Sequence, residues 1–247
     1  MKKILKFKLN GKFGFFKYPF TSPNKLKKTY NIPPRTTILG ILGSIIGLEG
    51  FQNFIGDEPE YYEKLKHINM FICMNKIPQK KLITYNSLNS FAKNIALDSN
   101  VIIQEEILLN PEYEIGLLLD ENLEYDKKIL DTFNRKFISS KYHIYLGKNE
   151  FFANISEIEI FDENNFVVEE LDSVENLKSI VFKKFVDFNK TKDELVIETF
   201  SRDINFTKKR LKTINKEVIF LLEQDNEVYF NSNLKLYNLN GNYYFMF

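Results

Sequence analysis

The segment after Pro33-Pro34 constrains the fold most. Residues 36–48 contain no charged side chain and are apolar nearly all round. A proline pair does not lie inside a helix, so a helix is expected to begin behind it, capped by Thr36 or Thr37, and to run to about Leu48. Gly40, Gly43 and Gly47 fall at spacings of three and four. Each glycine costs a helix on the order of 1 kcal/mol, and close backbone approach to a sheet is the expected compensation. The helix should therefore be buried.

The flanking segments supply the sheet. Ile4 to Leu9 alternates apolar residues with lysine, the period-two signature of a strand with one wet face, and Gly11 and Gly14 break it. After the buried helix come an amphipathic segment near Glu60 to Lys66 and a strand from His67 to Met74. Residues 75–100 are polar with little periodicity, which marks a functional excursion or a disordered loop. Strands at Val101 to Leu109 and Tyr113 to Leu119 follow, then a helix at Tyr125 to Ile138 and a strand at His143 to Leu146. With one hairpin left open, the order is that of the split βαβ, ferredoxin-like pattern, an α+β fold. From Phe151 onward the chain reads as short strands, at Glu157 to Phe161, Ser179 to Phe185, Leu195 to Phe200, Val218 to Glu223, Val228 to Phe230 and Tyr243 to Phe247. The expected division is therefore 1–155 and a β-rich 156–247.

The formal charge of +1 conceals a segregation. Residues 1–48 hold ten bases and no acid, leaving 24 bases against 33 acids in the rest. A second basic cluster, Arg202, Lys208, Lys209, Arg210, Lys212 and Lys216, lies in the last fifth. A segregated basic face reads as a polyanion-binding surface on an acidic body. Lys6 and Lys8 interrupt any secretory h-region, and the longest apolar run is about half the roughly 20 residues of a membrane span. A soluble, cytoplasmic protein with no membrane partner is expected.

Catalytic constellations are scarce. With one Cys and two His, neither a disulfide framework nor a protein-built zinc site is expected, and no motif asks for a cofactor. Glu105 and Glu106 alternate across a strand, so they make a poor acid/base pair. His143, near Lys141, Tyr142 and Tyr145, is a candidate general acid/base on RNA, and His67 a weaker one. The stretch from Gly11 to Tyr18 nearly spells the aromatic signature of RRM domains. That signature belongs on a third strand, and only about ten residues precede this one, which excludes a true RRM. The most suitable polyanion site is Tyr30 to Thr37. It sets a ring, the Arg35 guanidinium and two hydroxyls at a helix N-terminus, where unpaired amides favour an anion.

These residues also carry a family resemblance. A basic first strand, a Gly/Phe turn, and Thr29-Tyr30-x-x-Pro33-Pro34-x-Thr36 leading into the Gly-spaced helix resemble the N-terminal region of the Cas-five family. That family is the guide-RNA 5′-handle-binding subunit of type I CRISPR Cascade complexes. Gln104 to Leu108 followed by Pro111-x-Tyr113, and Tyr145 to Phe151, are similar to further segments, so the resemblance covers residues 1 to about 155. The length suggests a type I-B-like member. The resemblance implies a ferredoxin-like RAMP palm with a β-hairpin thumb inserted at about 75–100, and a β-rich C-terminal part. It implies handle contacts from Lys12, Lys17, Tyr30, Arg35, Thr36 and Thr37 on the palm, and from Lys80, Lys81, Asn86, Ser87 and Lys93 on the thumb. The implied partners are the crRNA 5′ handle, the Cascade backbone (Cas-seven) subunit and the large (Cas-eight) subunit, with target DNA reached indirectly. The expected role is binding without catalysis. One branch of the family cleaves the guide precursor with a Tyr/Lys/His group, which neither His matches by context. A metal-independent endoribonuclease acting through His143 or His67 is the alternative, and a protein-interaction module without RNA is a third.

Overall fold

The computed structural model describes residues 1–18, 26–50, 58–88, 100–135, 140, 142–191, 195–207, 210–221 and 227–247. Strand β1 (Lys2–Gly11) leads through short strands β2 (Phe13–Gly14) and β3 (Leu26–Lys27) to helix α1 (Arg35–Ile46) and helix α2 (Glu60–Leu65). Strands β4 (Asn69–Cys73), β5 (Gln79–Leu88), β6 (Asn100–Leu109) and β7 (Glu112–Asp120) precede helix α3 (Glu124–Phe133) and strand β8 (Ala153–Asp162). The remainder is strand: β9 (Val167–Val174), β10 (Val181–Phe182), β11 (Leu195–Thr207), β12 (Arg210–Leu221), β13 (Val228–Leu239) and β14 (Asn242–Tyr244).

The central sheet has the order β4-β7-β1-β8, antiparallel throughout. Leu5, Phe7 and Leu9 of β1 project to one face and join Ile38 and Leu42 of α1 and Ile129 and Phe133 of α3 in the main core. The α1 helix starts two residues earlier than a Thr36 cap would place it. Pro34 is its N-cap with no side-chain cap, so Thr36 and Thr37 are first-turn residues. It ends at Gly47, whose φ of 81° lets the Gly47 and Leu48 amides both reach the Gly43 carbonyl at 2.8 Å. The close approach that Gly43 permits is to α2 and not to the sheet: a Cβ there would lie 2.6 Å from Cβ of Tyr61.

Three expectations need correction. The segment 75–100 is not irregular where it is described. β5 pairs with β6 through ten positions, from Gln79↔Leu109 to Leu88↔Asn100, so Val101 to Leu109 belongs to a hairpin and not to the central sheet. The chain leaves that hairpin through a turn at Asn110, with a φ of 46°, and Pro111. His143 to Leu146 is not the sheet's fourth strand. Gly147, with a φ of 86°, folds the chain back so that Tyr145 bridges Phe152, and β8 takes the edge position instead. β8 crosses residue 155, and Phe247 exchanges backbone hydrogen bonds with Met70 of β4. In the C-terminal part, β9 is a strand that the sequence did not announce, and β11 and β12 are much longer than expected.

The second face of the central sheet is apolar toward one end and charged elsewhere. Phe71 stacks on Tyr244 of β14 at 4.2 Å, among Ile4, Phe161, Tyr237 and Leu239. Beside this patch three lysines of β1 meet carboxylates on both sides: Lys3 with Glu121, just past β7, and Asp162, Lys6 with Glu114 and Glu159, Lys8 with Glu112 and Glu157. Burial works against the charge on Lys6, but the two glutamates outweigh it and hold its pKa above the ordinary lysine value. The basic first strand is thus neutralised inside the sheet. No helix among the described residues is long and apolar enough to cross a membrane.

Candidate nucleic-acid interface

The residues between β1 and α1 do not form a sheet of their own. They run along β6, where β2 and β3 pair on the side opposite β5. Lys17 bridges Thr29, and Phe16 donates its amide to Thr29 Oγ1 at 2.8 Å, which locks the two arms of this excursion together. Tyr113 Oη donates to the Asn31 carbonyl at 2.5 Å, while Glu198 of β11 accepts the Asn31 amide at 2.8 Å. The chain therefore enters α1 along a fixed path.

Two clefts open at the start of α1. The smaller, of about 330 Å³, is lined by Lys17, Tyr30, Thr36, Thr37, Gly147 and Lys148 among others. The larger, of about 640 Å³, shares Thr36, Thr37 and Gly147, and extends along Gly40 and Ser44 to Tyr142, His143, Tyr145 and Asn149. Ile204 of β11 lines both. The far wall of both is the loop closed by the Phe151 amide donating to the Lys148 carbonyl at 2.9 Å. A Cβ at Gly147 would fall 1.7 Å from the Phe15 carbonyl oxygen, so only glycine brings this loop so close.

The smaller cleft brings a phenol and two lysines together. Tyr30 is 2% exposed and lines the cleft, and its hydroxyl has no hydrogen-bond partner among the described residues. Burial raises its pKa, so it remains a neutral donor. Lys17 is exposed and has no ion pair among the described residues. Lys148 is held in place: its Nζ lies 2.7 Å from the fully buried Glu105 and 5.1 Å from the centre of the Phe15 ring. Tyr85 Oη also donates to Glu105 at 2.7 Å, and burial together with that bond pushes the phenol up to about 12. Glu105 and Glu106 do diverge: Glu106 accepts the Thr29 amide at 3.4 Å, away from the lysine. Among the described residues, no group of three His, Cys, Asp or Glu is suited to a metal.

The expected site residues separate into groups. Lys17, Tyr30, Thr36 and Thr37 meet at one cleft. Lys80, on β5, donates to the Thr29 carbonyl at 2.9 Å and so stands beside that cleft, with Lys81 exposed next to it. Asn86 and Ser87 are farther along β5, about 20 Å from Lys80 at 3.3 Å per residue. Lys12 is exposed at the β1–β2 turn, where its carbonyl accepts the Asn110 amide, and it lines neither cleft. Lys93 lies outside the described residues.

Arg35 is the correction. It is 4% exposed, its Nη1 lies 2.7 Å from Asp203 Oδ1, and its Nη2 donates to the carbonyls of Lys66 and Ile68 at 2.6 and 2.9 Å. Tyr62 Oη donates to the same Asp203 oxygen at 3.1 Å. Burial lowers the Arg35 pKa while Asp203 opposes the shift. The guanidinium ties α1 to β11 and to the chain entering β4: both terminal nitrogens bond inside the protein, and Nε is buried without a partner among the described residues. Of the two histidines, His143 is exposed in the larger cleft, whereas His67 Nε2 is held 2.8 Å from the buried Asp126. Lys148 and Gly147 are the site residues that the sequence reading missed as such. Their signal was Tyr145 to Phe151, which resembled the family but was mistaken for the end of a strand.

Comparison with known proteins follows the same lines. The sequence profile of the family described as CRISPR-associated protein (Cas_Cas5) matches residues 4–218. No curated protein matches the chain. A chain of a solved "CRISPR RNA-guided surveillance complex" shares the fold, with a TM-score of 0.53 at 9% identity over 93% of this chain and 91% of that one. A CRISPR protein from Archaeoglobus fulgidus superposes with a TM-score of 0.46 at 14% identity, over 99% and 98% of the two chains.

Proposed function

The chain belongs to the CRISPR-associated protein (Cas_Cas5) family, and on that premise we propose that it is a subunit of a type I CRISPR effector complex that binds the 5′ handle of the guide RNA. The observation that carries this reading is the convergence of Lys17, Tyr30, Thr36, Thr37 and Lys148 on one cleft at the start of α1. A buried hydroxyl donor, the two threonine hydroxyls and the Lys17 ammonium suit an RNA phosphate, Lys148 fixes the cleft wall through Glu105, and the aromatic rim of the neighbouring cleft suits an unstacked base. The central sheet with α1 and α3 is the ferredoxin-like palm in this reading, and the β5–β6 hairpin is the thumb. Lys80 and Lys81 at the hairpin base extend the handle path. Asn86 and Ser87, on its outer arm, reach toward the adjacent backbone (Cas-seven) subunit, and the large (Cas-eight) subunit docks alongside. The protein works in the cytoplasm, binds RNA without cutting it, and meets target DNA indirectly.

Fluorescence anisotropy with repeat-derived RNA at two salt concentrations tests the proposal. Lys17→Glu is expected to weaken binding about tenfold and to lower the salt slope by about 0.7, the value for one single-stranded phosphate contact. Binding that ignores both salt and Lys17 sinks the reading. A second reading is endoribonuclease action through His143, which the exposure of that ring in the larger cleft favours over His67. Cleavage of repeat RNA that disappears in His143→Ala, with RNA affinity retained, would replace the first reading with the second.

A further inference from the structure

A third cleft, of about 370 Å³, lies in the C-terminal part of the molecule, away from α1. Its walls include Phe182, Lys183, Lys184, Phe188, Lys216 and Glu217. Glu217 pairs with Lys183 at 3.1 Å, and it is the one carboxylate on the lining. Lys184 and Lys216 are exposed and have no acidic partner among the described residues. Lys184 Nζ sits 4.4 Å over the Phe185 ring. Phe188 is 44% exposed, a large ring turned to water in a protein that buries most of its aromatics. The backbone carrying these groups is fixed, because Asn231 Nδ2 donates to the carbonyls of Lys184 and Val186 at 3.1 and 3.2 Å.

Strand β11 separates this cleft from the other two. Ser201 and Ile204 line the α1 clefts, whereas Arg202, the extra residue in the bulge between Ser201 and Asp203, lies 5.7 Å from the Phe182 ring while also meeting Asp203 at 3.6 Å. Arg210 and Lys212 stand at even spacing from Lys216 on β12, and Lys208 and Lys209 lie outside the described residues.

We propose that this cleft forms a second nucleic-acid surface, which takes a single strand independently of the α1 cleft. Lys184 and Lys216 meet phosphates, and Phe188 stacks an unpaired base. The ring selects a single strand over a duplex, because a duplex leaves no base face open to it.

The test uses the full chain, first loaded with one equivalent of unlabelled repeat RNA to fill the α1 cleft, and a labelled twelve-nucleotide oligouridine as probe (about one site of this kind). The probe should still bind, and should bind better than a duplex of similar length. Lys184→Glu with Lys216→Glu should weaken probe binding at least tenfold. The milder Lys184→Gln with Lys216→Gln should lower the salt slope by about 1.4, two contacts at roughly 0.7 each. Phe188→Ala should weaken the probe several-fold with the slope unchanged, and none of these variants should alter the affinity for repeat RNA. The proposal is overturned if the probe fails to bind once repeat RNA is loaded, or binds wild type and the double variants alike. A duplex preferred over the strand overturns it too, as does crosslinking of Lys184 and Lys216 to protein carboxylates in the assembled complex. Should repeat RNA itself fail to bind, the α1 reading falls, while the probe arms still decide this one.

Discussion

Strand β1 and the entrance to α1 are both rich in lysine and free of acids in sequence, yet they end in opposite electrostatic states. Along β1, Lys6 and Lys8 are each met by one carboxylate from β7 and one from β8, and Lys3 by Asp162 of β8 and by Glu121 just past β7. Six residues past the end of β1's pairing, Lys17 sits on a cleft rim without an ion pair among the described residues. Charge density along a sequence counts groups; a sheet decides which of them remain available. The acids that neutralise β1 come from strands more than a hundred residues away, so the ten-to-none imbalance of the first 48 residues overstates the free positive surface.

The comparison can be broken first at its buried member. Arg35→Ala would leave two carbonyls without their donor and Asp203 with only Tyr62 and Arg202, a loss of about 3 kcal/mol for one partner of a buried pair. Urea unfolding should register that loss while RNA affinity per folded molecule stays at the wild-type value. A folded, fully stable Arg35→Ala protein with impaired RNA binding would restore Arg35 to the interface. Gly147→Ala comes next: a strained φ of 86° and a clash with the Phe15 carbonyl should cost roughly 1–3 kcal/mol. It should also open the shared wall of both clefts, seen as RNA affinity falling further than Lys17→Glu alone achieves.

The smallest effect concerns pH. Burial raises the Glu198 carboxyl above its ordinary value of 4.5, and the Asn31 amide it accepts opposes this only in part. A carboxyl raised in the folded state holds its proton better folded than unfolded. Its contribution to stability is therefore full below 4.5 and is lost as the pH rises through the raised value. Glu198→Gln should flatten the decline in urea midpoint between pH 4.5 and neutrality. An unchanged slope would show that Glu198 does not anchor the Asn31 turn as an ionised group.

Local signals in this chain were legible because they depend on neighbours in sequence. The β1 alternation, the buried α1 after Pro33-Pro34, and the α3 periodicity at Ile129, Leu130 and Phe133 all correspond to observed elements. The errors arose where distant partners decide. Val101 to Leu109 is as strand-like in either sheet, and only its pairing with β5 assigns it to the hairpin. Arg35 at a helix start looks like an anion ligand until β11, at Asp203, arrives to cover it. Lys148 is invisible as a site residue without Glu105, which comes 43 positions earlier. Lys17, Tyr30, Thr36 and Thr37 were legible together because one short segment carries them all to the same cleft.

The central claim is that the free lysines at α1, and not the paired lysines of β1, hold RNA. Its most direct test is the affinity of repeat-derived RNA for two variants, Lys3→Gln/Lys6→Gln/Lys8→Gln on β1 and Lys17→Gln/Lys80→Gln at the cleft. The cleft variant should bind at least about tenfold more weakly with a salt slope lower by about 1.4, while the β1 variant stays within about twofold of wild type with its slope unchanged. A β1 variant that loses as much affinity and slope as the cleft variant would contradict the account.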